Sequence, residues 1–443
     1  MIKQGAIWKF SAAFGVGLLV GFRIIPPALV GVAFMIVLAM CFVYAAQNNL
    51  YKMFTYLPYV IYTEVFVRAF ARSIVPYLAM EYFYVFAFSI LFFKHTDKSK
   101  VHNKSFYLLV AFGFLEIING FYPDRPTLLK AIFFNSFAVL AGVIWASFNK
   151  LSPTLINKLL ANIKIGSVFL AGIIIVAHLQ GKIAYGNFSS SEASNGLAPV
   201  QISGYLGFGS SMIFIGLMSP AEKRARFINA IVFILVSLVM VLTFSRGGLY
   251  FLSAIVFMYL FFNRGSLGSY FKYLLLIPVV FWGFNFVVDQ TGGAILKRYE
   301  EKGSSNRDVL VEAGFHLFLE NPVFGVGTSN FGTAIVRYNL FKDESTAHNE
   351  FARAMAEHGL FGIFTYWGFF ILLLIGLIRR KEPERQFSLY FYALFFFIVI
   401  HNGLKISIQP LLLILAIANP TTFVVRKKIS NAIQQPRALQ QPV

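Results

Sequence analysis

The chain reads as a succession of apolar stretches separated by short polar intervals that carry most of its charge. A spanning helix needs about 20 largely apolar residues, somewhat fewer where the bilayer thins. On that rule the pattern predicts spans near 6–22, 27–46, 51–70, 75–93, 105–121, 127–148, 164–179, 200–218, 227–244, 248–262, 270–288, 359–378, 386–401 and 407–420. The expected fold class is therefore all-α, a polytopic integral membrane protein of about 12–14 transmembrane helices. A single membrane domain, 1–420, would be followed by a polar Gln/Pro-rich tail, 421–443. No period of about 20 to 50 residues recurs, so a repeat architecture is not indicated.

One interval breaks the rhythm. Residues 289–356 form the only long polar stretch, which predicts a large helical loop on one face of the membrane. Ser304, Ser305 and Asn306 are N-cap types ahead of the apolar positions Val309, Leu310, Ala313 and Leu317, a helix expected to end at Asn321-Pro322. Gly325 and Gly327 then permit a sharp turn or a close backbone approach. A second helix is expected from Ser345-Thr346 through His348 and Arg353, with Gly359 as its C-terminal stop.

Composition strengthens the membrane reading, since 58% of residues are hydrophobic and only 13% charged, against about 25% charged in a soluble domain. The formal charge of +19 would suit a nucleic acid. The basic residues lie in short clusters between spans, however, so topology accounts for them and nucleic acid is not an expected partner. With the N-terminus inside, the cytoplasmic intervals collect 23 of the 38 Lys and Arg residues, and seven of the remainder belong to the long loop, which the positive-inside rule largely exempts. Both termini are then cytoplasmic and the loop of this multi-pass protein is periplasmic or extracellular. The first apolar stretch follows Lys3 and Lys9 without a small-residue cleavage site and reads as a retained helix. The one cysteine, Cys41, lies in an apolar span, which excludes an intramolecular disulfide.

The long loop holds nine acidic and seven basic residues and is nearly neutral, so its chemistry rests on particular side chains. His348, near a helix start, is a candidate base, because a neutral imidazole can accept a proton from a hydroxyl and the helix dipole disfavours the cation; the alternative is a solvated or capping histidine. Thr243-Phe244-Ser245-Arg246-Gly247-Gly248 joins two spans. The planar fork of Arg246 suits phosphate oxygens and the glycines would let an anion approach the backbone, unless Arg246 only snorkels to the interface. Arg307 has the same choice between a phosphate and a partner on its own helix, Asp308 or Glu312. Glu64 and Arg68 stand four apart on one helix and can pair, functionally or as an interhelical brace. Glu81 and Glu116 lie in apolar runs without an obvious local partner. His178, His316, His358 and His401 form no metal-like constellation and the outer loops hold no Asp-X-Asp pair, so chemistry without a bound metal is expected.

These features in this order resemble the bacterial O-antigen ligase and O-antigen polymerase family of membrane glycosyltransferases. The resemblance covers roughly 200–375: Thr243 to Gly248, the Arg307 helix, the turn from Asn321-Pro322 to Gly327, His348-Asn349, and Glu357-His358-Gly359-Leu360-Phe361-Gly362. It implies inverting, metal-independent transfer of a glycan from a polyprenyl-diphosphate carrier (undecaprenyl diphosphate) to an acceptor sugar hydroxyl, in O-antigen, lipopolysaccharide or exopolysaccharide assembly. Arg246 and Arg307 would hold the diphosphate, His348 would be the catalytic base, and Ser245 and Asn349 would be auxiliary; Glu64 and Arg68 stay second-rank on their own chemistry. No cofactor is implied. Beyond the donor and the bilayer, the partners implied are an acceptor glycan or lipid A core, a flippase and a chain-length regulator. A polymerase is favoured over a ligase, and a lipid-linked oligosaccharide flippase is the alternative from another class; it would more often show internal pseudo-repeats and would not need a loop bearing a base.

Overall fold

The computed structural model describes residues 5–120, 136–181, 183, 191–219, 223–262, 285, 287–289, 291–301, 306–401 and 407–420. The predicted 270–288 span falls almost wholly outside them, as do 127–135, Ser304, Ser305 and the 421–443 tail. The helices run α1 Gly5–Gly21, α2 Pro27–Ala46, α3 Leu50–Phe70, α4 Ala79–His95, α5 Phe106–Ile118, α6 Ala138–Phe148, α7 Pro153–Leu179, α8 Pro199–Met218, α9 Lys223–Leu242 and α10 Gly247–Phe262. The loop region then contributes α11 Ala294–Glu301, α12 Arg307–Glu320 and α13 Phe331–Arg337, and α14 Glu350–Gly362 passes through a π-helical turn, Ile363–Trp367, into α15 Gly368–Ile378. The last helices are α16 Glu384–His401 and α17 Gln409–Ile417. One short parallel pair, Lys150–Leu151 (β1) with Asn419–Pro420 (β2), is the only sheet among the described residues.

This is an all-α polytopic membrane protein. Five stretches are long and apolar enough to cross a bilayer: Pro27–Ala46, Pro153–Leu179, Glu192–Met218, Lys223–Leu242 and Glu350–Ile378. α3 has 21 residues but carries Lys52, Glu64 and Arg68, while Ile7–Gly21, Phe106–Ile118, Ala138–Phe148 and Gly247–Phe262 are shorter apolar helices. Apolar side chains also point outward, with Phe93 72%, Phe227 67% and Phe364 69% exposed. Such helices are apolar on both their packed and outer sides, as a hydrocarbon solvent requires. Between them runs one continuous apolar core from Val20 to Ala418. Small residues permit the closest approaches: a Cβ on Gly17 of α1 would overlap the carbonyl oxygen of Phe169, and one on Gly172 of α7 would lie 2.5 Å from that of Phe14.

The helix ends sort into two groups. At one end His95 Nε2 meets Ala46 O at 2.9 Å, Asn149 Nδ2 donates to Thr96 Oγ1 at 3.0 Å, and Arg380 donates to Ala416 O and Ile417 O at 3.0 and 2.7 Å. At the other, Asn119 Nδ2 donates to Phe324 O at 2.5 Å and to Glu357 O at 2.9 Å, and Ser203 Oγ donates to Ser245 O at 2.9 Å. The polar loop segments from Arg307 to Asn349 gather at this second end, where Leu310, Ala313, Leu317, Phe331, Ala334, Ile335 and Ala347 form a small core with Ala356 of α14.

Three local expectations need correction. Val309 is 40% exposed and outside that core, because the buried stripe of α12 runs Leu310, Ala313, Leu317. The second loop helix starts at Glu350, not at Ser345, because the Asn349 side chain caps it: Oδ1 accepts from Phe351 N and Ala352 N at 2.9 and 3.1 Å. Gly359 breaks the helix (φ 60°, ψ −142°) but does not end it, and the chain continues helically to Ile378. The Asn321–Gly327 turn satisfies the backbone groups that the break exposes. Val326 N donates to Ala356 O at 2.9 Å, Gly327 N to Glu357 O at 3.0 Å, and Leu360 N to Pro322 O at 2.8 Å. Gly325 and Gly327, at φ 69° and 91°, therefore serve a backbone-to-backbone approach.

Candidate active site

At the second end a cavity of about 940 Å³ opens between α8, α10, α12, α14, α16 and the turn joining α9 to α10. Its polar lining is Ser245, Arg246, Tyr250, Arg307, Asp308, Glu312, Asn349 and His401, and its apolar side includes Val311, Phe315, Met355 and Trp367. Each cationic group reaches the cavity from the start of a helix, where backbone N–H groups also favour an anion. Arg246 directly precedes α10 in a turn tied down by Ser203, whose Oγ donates to Ser245 O and accepts from Gly248 N at 2.8 Å. Arg307 opens α12, whose opposite face is buried in the loop core.

Arg246, Arg307, Ser245 and Asn349 are thus brought to one cavity. His348 adjoins Asn349, is exposed, precedes α14 rather than belonging to it, and holds φ at 50°. Its Nε2 lies 3.3 Å from Thr346 Oγ1. His348, Arg246 and Arg307 all stand close enough to His401 for their charges to act on its ring. Glu64 and Arg68 are not in the lining. They pair at 3.2 Å, Arg68 also donates to Gln201 Oε1, and Tyr205 OH lies 3.4 Å from Glu64 Oε2 and 2.5 Å from Ser407 Oγ. That network joins α3, α8 and the start of α17 as a buried brace.

Of the two glycines after Arg246, Gly248 does not open the backbone to a ligand. Both are buried, and a Cβ on Gly248 would overlap Ser203 O and crowd the Met240 sulfur, so this glycine lets α10 pack on α8 and α9. Arg307 does not depend on its own helix alone for a partner, since its Nη1 lies 2.5 and 2.6 Å from the two ring nitrogens of His401. No sequence signal marks His401, which ends an apolar helix; only the packing of α16 against α10 brings its ring to Tyr250, with centroids 4.6 Å apart.

A second charged cluster underlies the cavity. Arg353, buried on α14, holds Glu350 at 2.6 Å, Glu357 at 2.7 Å and Glu116 of α5 at 2.9 Å. Glu116, which has no obvious partner nearby in sequence, finds one on α14. Its carboxylate is also 3.5 Å from His358 Nε2, and Asn119 Nδ2 is 3.3 Å from His358 Nδ1. The spacing Glu350, Arg353, Glu357 was a readable sign of one helix face; the contribution of Glu116 was not. The ligand atoms of Glu116, Glu357 and His358 lie within 4.8 Å of one another, so a metal-like constellation does exist. The Arg353 guanidinium already sits against two of its three members and supplies the positive charge that a cation would bring.

The fold and the cavity define a polytopic membrane protein with an anion-suited site built at helix starts. Residues 230–367 match the family model described as O-antigen ligase. The match lies within the 200–375 stretch whose motifs resemble the O-antigen ligase and polymerase family, and is narrower than it. It includes Ser245, Arg246, Arg307, His348 and Asn349 and leaves out His401, Glu64, Arg68 and Glu116. A comparison with curated proteins gives no match.

Proposed function

We propose that the protein transfers a glycan from a polyprenyl diphosphate to a sugar hydroxyl at this cavity. The carrying observation is that Arg246 and Arg307, far apart in the chain, line one cavity with Asn349, next to His348. A volume of about 940 Å³ accommodates a diphosphate with adjoining sugar units, and the apolar lining and outward-facing helices suit an isoprenoid tail. The hydroxyl oxygen of the acceptor attacks the anomeric carbon from the side opposite the diphosphate, a C–O bond forms, and the bond from that carbon to the phosphate oxygen breaks with inversion. The electron pair leaves on the diphosphate, whose growing charge Arg246 and Arg307 offset. The hydroxyl proton passes to the His348 imidazole. The weakly basic leaving group needs no proton from the protein, so the step balances without a metal.

In this proposal the cavity faces the periplasm or cell exterior and both termini face the cytoplasm. The sorting of helix ends supports that orientation: the opposite end carries Lys94, Lys150 and Arg380, the clusters that the positive-inside rule keeps in the cytoplasm. We take the acceptor first to be a carrier-bound glycan, which makes the protein a polymerase working beside a flippase and a chain-length regulator. The description of the matched family favours a second reading, transfer to lipid A core.

The test uses purified protein in liposomes given a diphosphate-linked oligosaccharide, with and without lipid A core, and products resolved by mass. Longer carrier-linked chains mean polymerase, and glycan on core means ligase. Transbilayer movement without new glycosidic bonds would refute both. His348→Ala should abolish transfer while the protein still elutes as a folded species, and Arg246→Lys should raise the donor KM because a point charge replaces a bidentate fork. Full turnover by His348→Ala would remove the assigned base.

A further inference from the structure

Another arginine stands at the same end of the molecule, away from the cavity. Arg23, half-buried just after α1, holds φ at 63°, a place after a helix where glycine is usual and a larger side chain is strained. Its guanidinium lies over the rings of Phe70 and Phe66 of α3, 3.8 and 4.9 Å from their centroids. Of its five donors, Nη2 reaches Asn195 O at 3.4 Å, Nη1 is enclosed without an acceptor, and no carboxylate pairs with the group among the described residues. A cation backed by aromatic rings, with donors to spare, suits a phosphate. Beside this arginine the helices part. α1 packs on α7 while α2 packs on α3 and α4, and a cleft of about 320 Å³ lies between them. Val16 and Val20 of α1, Leu29 and Phe34 of α2, Val60 of α3 and Phe169 of α7 line it. Val16 is 45% and Leu29 59% exposed, so the cleft opens sideways to the hydrocarbon. Thr63, also in the lining, shares a face of α3 with Phe66 and Phe70 one and two turns on, which sets the guanidinium at the head of the cleft.

We propose that this cleft binds an anionic phospholipid, with one acyl chain between α1 and α2 and its phosphate on Arg23. An apolar cleft facing hydrocarbon offers water no partners, and a hydrocarbon chain fills it without leaving a polar group unpaired. The phosphate oxygens supply the acceptors that the guanidinium lacks. A headgroup of net negative charge is favoured over a zwitterionic one, whose ammonium would face the same cation. The strained backbone at Arg23 and the two phenylalanine rings fix the charge at that depth before the lipid arrives. The cleft shares no lining residue with the cavity, so the site is independent of the glycan-transfer reading.

In the experiment the full-length protein is extracted from nanodiscs holding equal amounts of phosphatidylglycerol and phosphatidylcholine, and the lipids it retains are counted by native mass spectrometry. The retained ratio of phosphatidylglycerol to phosphatidylcholine should fall about tenfold from the parent to Arg23→Gly, the scale of one hydrogen bond to a charged group. Glycine accepts φ 63° without strain, so this variant should still fold, and its melting temperature in lipid-free detergent checks that. Arg23→Lys keeps the charge and should recover part of the ratio. Ala33→Phe, at an exposed position in the cleft, should expel the chain and lower phosphatidylglycerol retention with Arg23 intact. Equal retention of the two lipids by the parent, or an unchanged ratio in Arg23→Gly, overturns the headgroup assignment and with it the proposal. Unchanged retention in Ala33→Phe overturns the placement of the chain. Displacement of phosphatidylglycerol by an equal amount of polyprenyl phosphate would make the occupant an isoprenoid and overturn the phospholipid.

Discussion

Replacing Arg353 by Met tests whether the buried charge cluster holds the loop to the membrane helices. The substitution keeps an unbranched side chain but removes the cation from Glu116, Glu350 and Glu357, which lie 2.6–2.9 Å from it and are 0%, 4% and 1% exposed. At an effective dielectric constant of about 20, each such pair attracts by roughly 4 kcal/mol. The gross attraction of three pairs is therefore about 12 kcal/mol, most of which offsets the loss of water around four ions. The net cost of removing one partner from a buried pair is about 3–5 kcal/mol, and the upper part of that range applies where one guanidinium serves three carboxylates. Unfolding in mixed micelles, followed by tryptophan fluorescence, should show that loss. Glu116→Gln should cost less, about 1–3 kcal/mol, because Arg353 keeps two partners. In the combined variant the losses should fall short of additive by about 0.5–3 kcal/mol. An Arg353→Met protein within about 1 kcal/mol of the parent, or strict additivity, would refute the claim that this pairing ties α5 to α14.

Two further variants probe the turns that present the cavity. Gly248→Ala should lower thermal stability in detergent and open the packing of α10 on α8, because its Cβ overlaps Ser203 O; an unperturbed melting temperature would return this glycine to a ligand-facing role. Asn349→Ala removes the cap of α14 and should cost about 1 kcal/mol while reducing transfer through the displaced His348, and Asn349→Ser, which keeps a capping oxygen, should restore stability. Equal losses in the two variants would show that the cap is not what matters there.

Hydrophobic length and charge spacing made most of the fold legible. The predicted spans 27–46 and 200–218 coincide within a residue with Pro27–Ala46 and Pro199–Met218. The span placed at 164–179 falls short of the observed Pro153–Leu179 because Lys158 and Lys164 interrupt the apolar run without interrupting the helix. Arg246, Arg307 and Asn349 could be named as candidates because each stands at a recognisable boundary between turn and helix. What the sequence hid were tertiary pairings. Glu116 and Arg353 are separated by more than two hundred residues, and no local spacing announces their contact. His401 ends a run of aromatic and aliphatic residues like any other interfacial histidine. Gly248 carried a sign that pointed the wrong way: a glycine beside an arginine suggests an anion, whereas the carbonyl of Ser203 on another helix is what excludes a side chain there.

Backbone conformation helps to aim the side chains that line the cavity. Among the described residues eight non-glycine positions have positive φ, and three of them, Phe244 at 57°, Asn306 at 63° and His348 at 50°, stand one or two residues ahead of Arg246, Arg307 and Asn349. Asparagine tolerates that region, but an aromatic side chain does so only under constraint, at a cost of order 1–3 kcal/mol. The burial of Phe244 at 2% exposure among Leu242, Val287 and Ile295 supplies the constraint. A left-handed residue just before a helix turns the chain sharply, so that the next side chains and the first free N–H groups face the same space. Three unrelated segments use that device to face one cavity. The device is not confined to the cavity, since Asn48 at φ 57° and Ser329 at 62° stand two residues ahead of α3 and α13. The strained starts fix the cationic groups before any substrate arrives, and fixed charges can follow the charge of a departing diphosphate without reorganising.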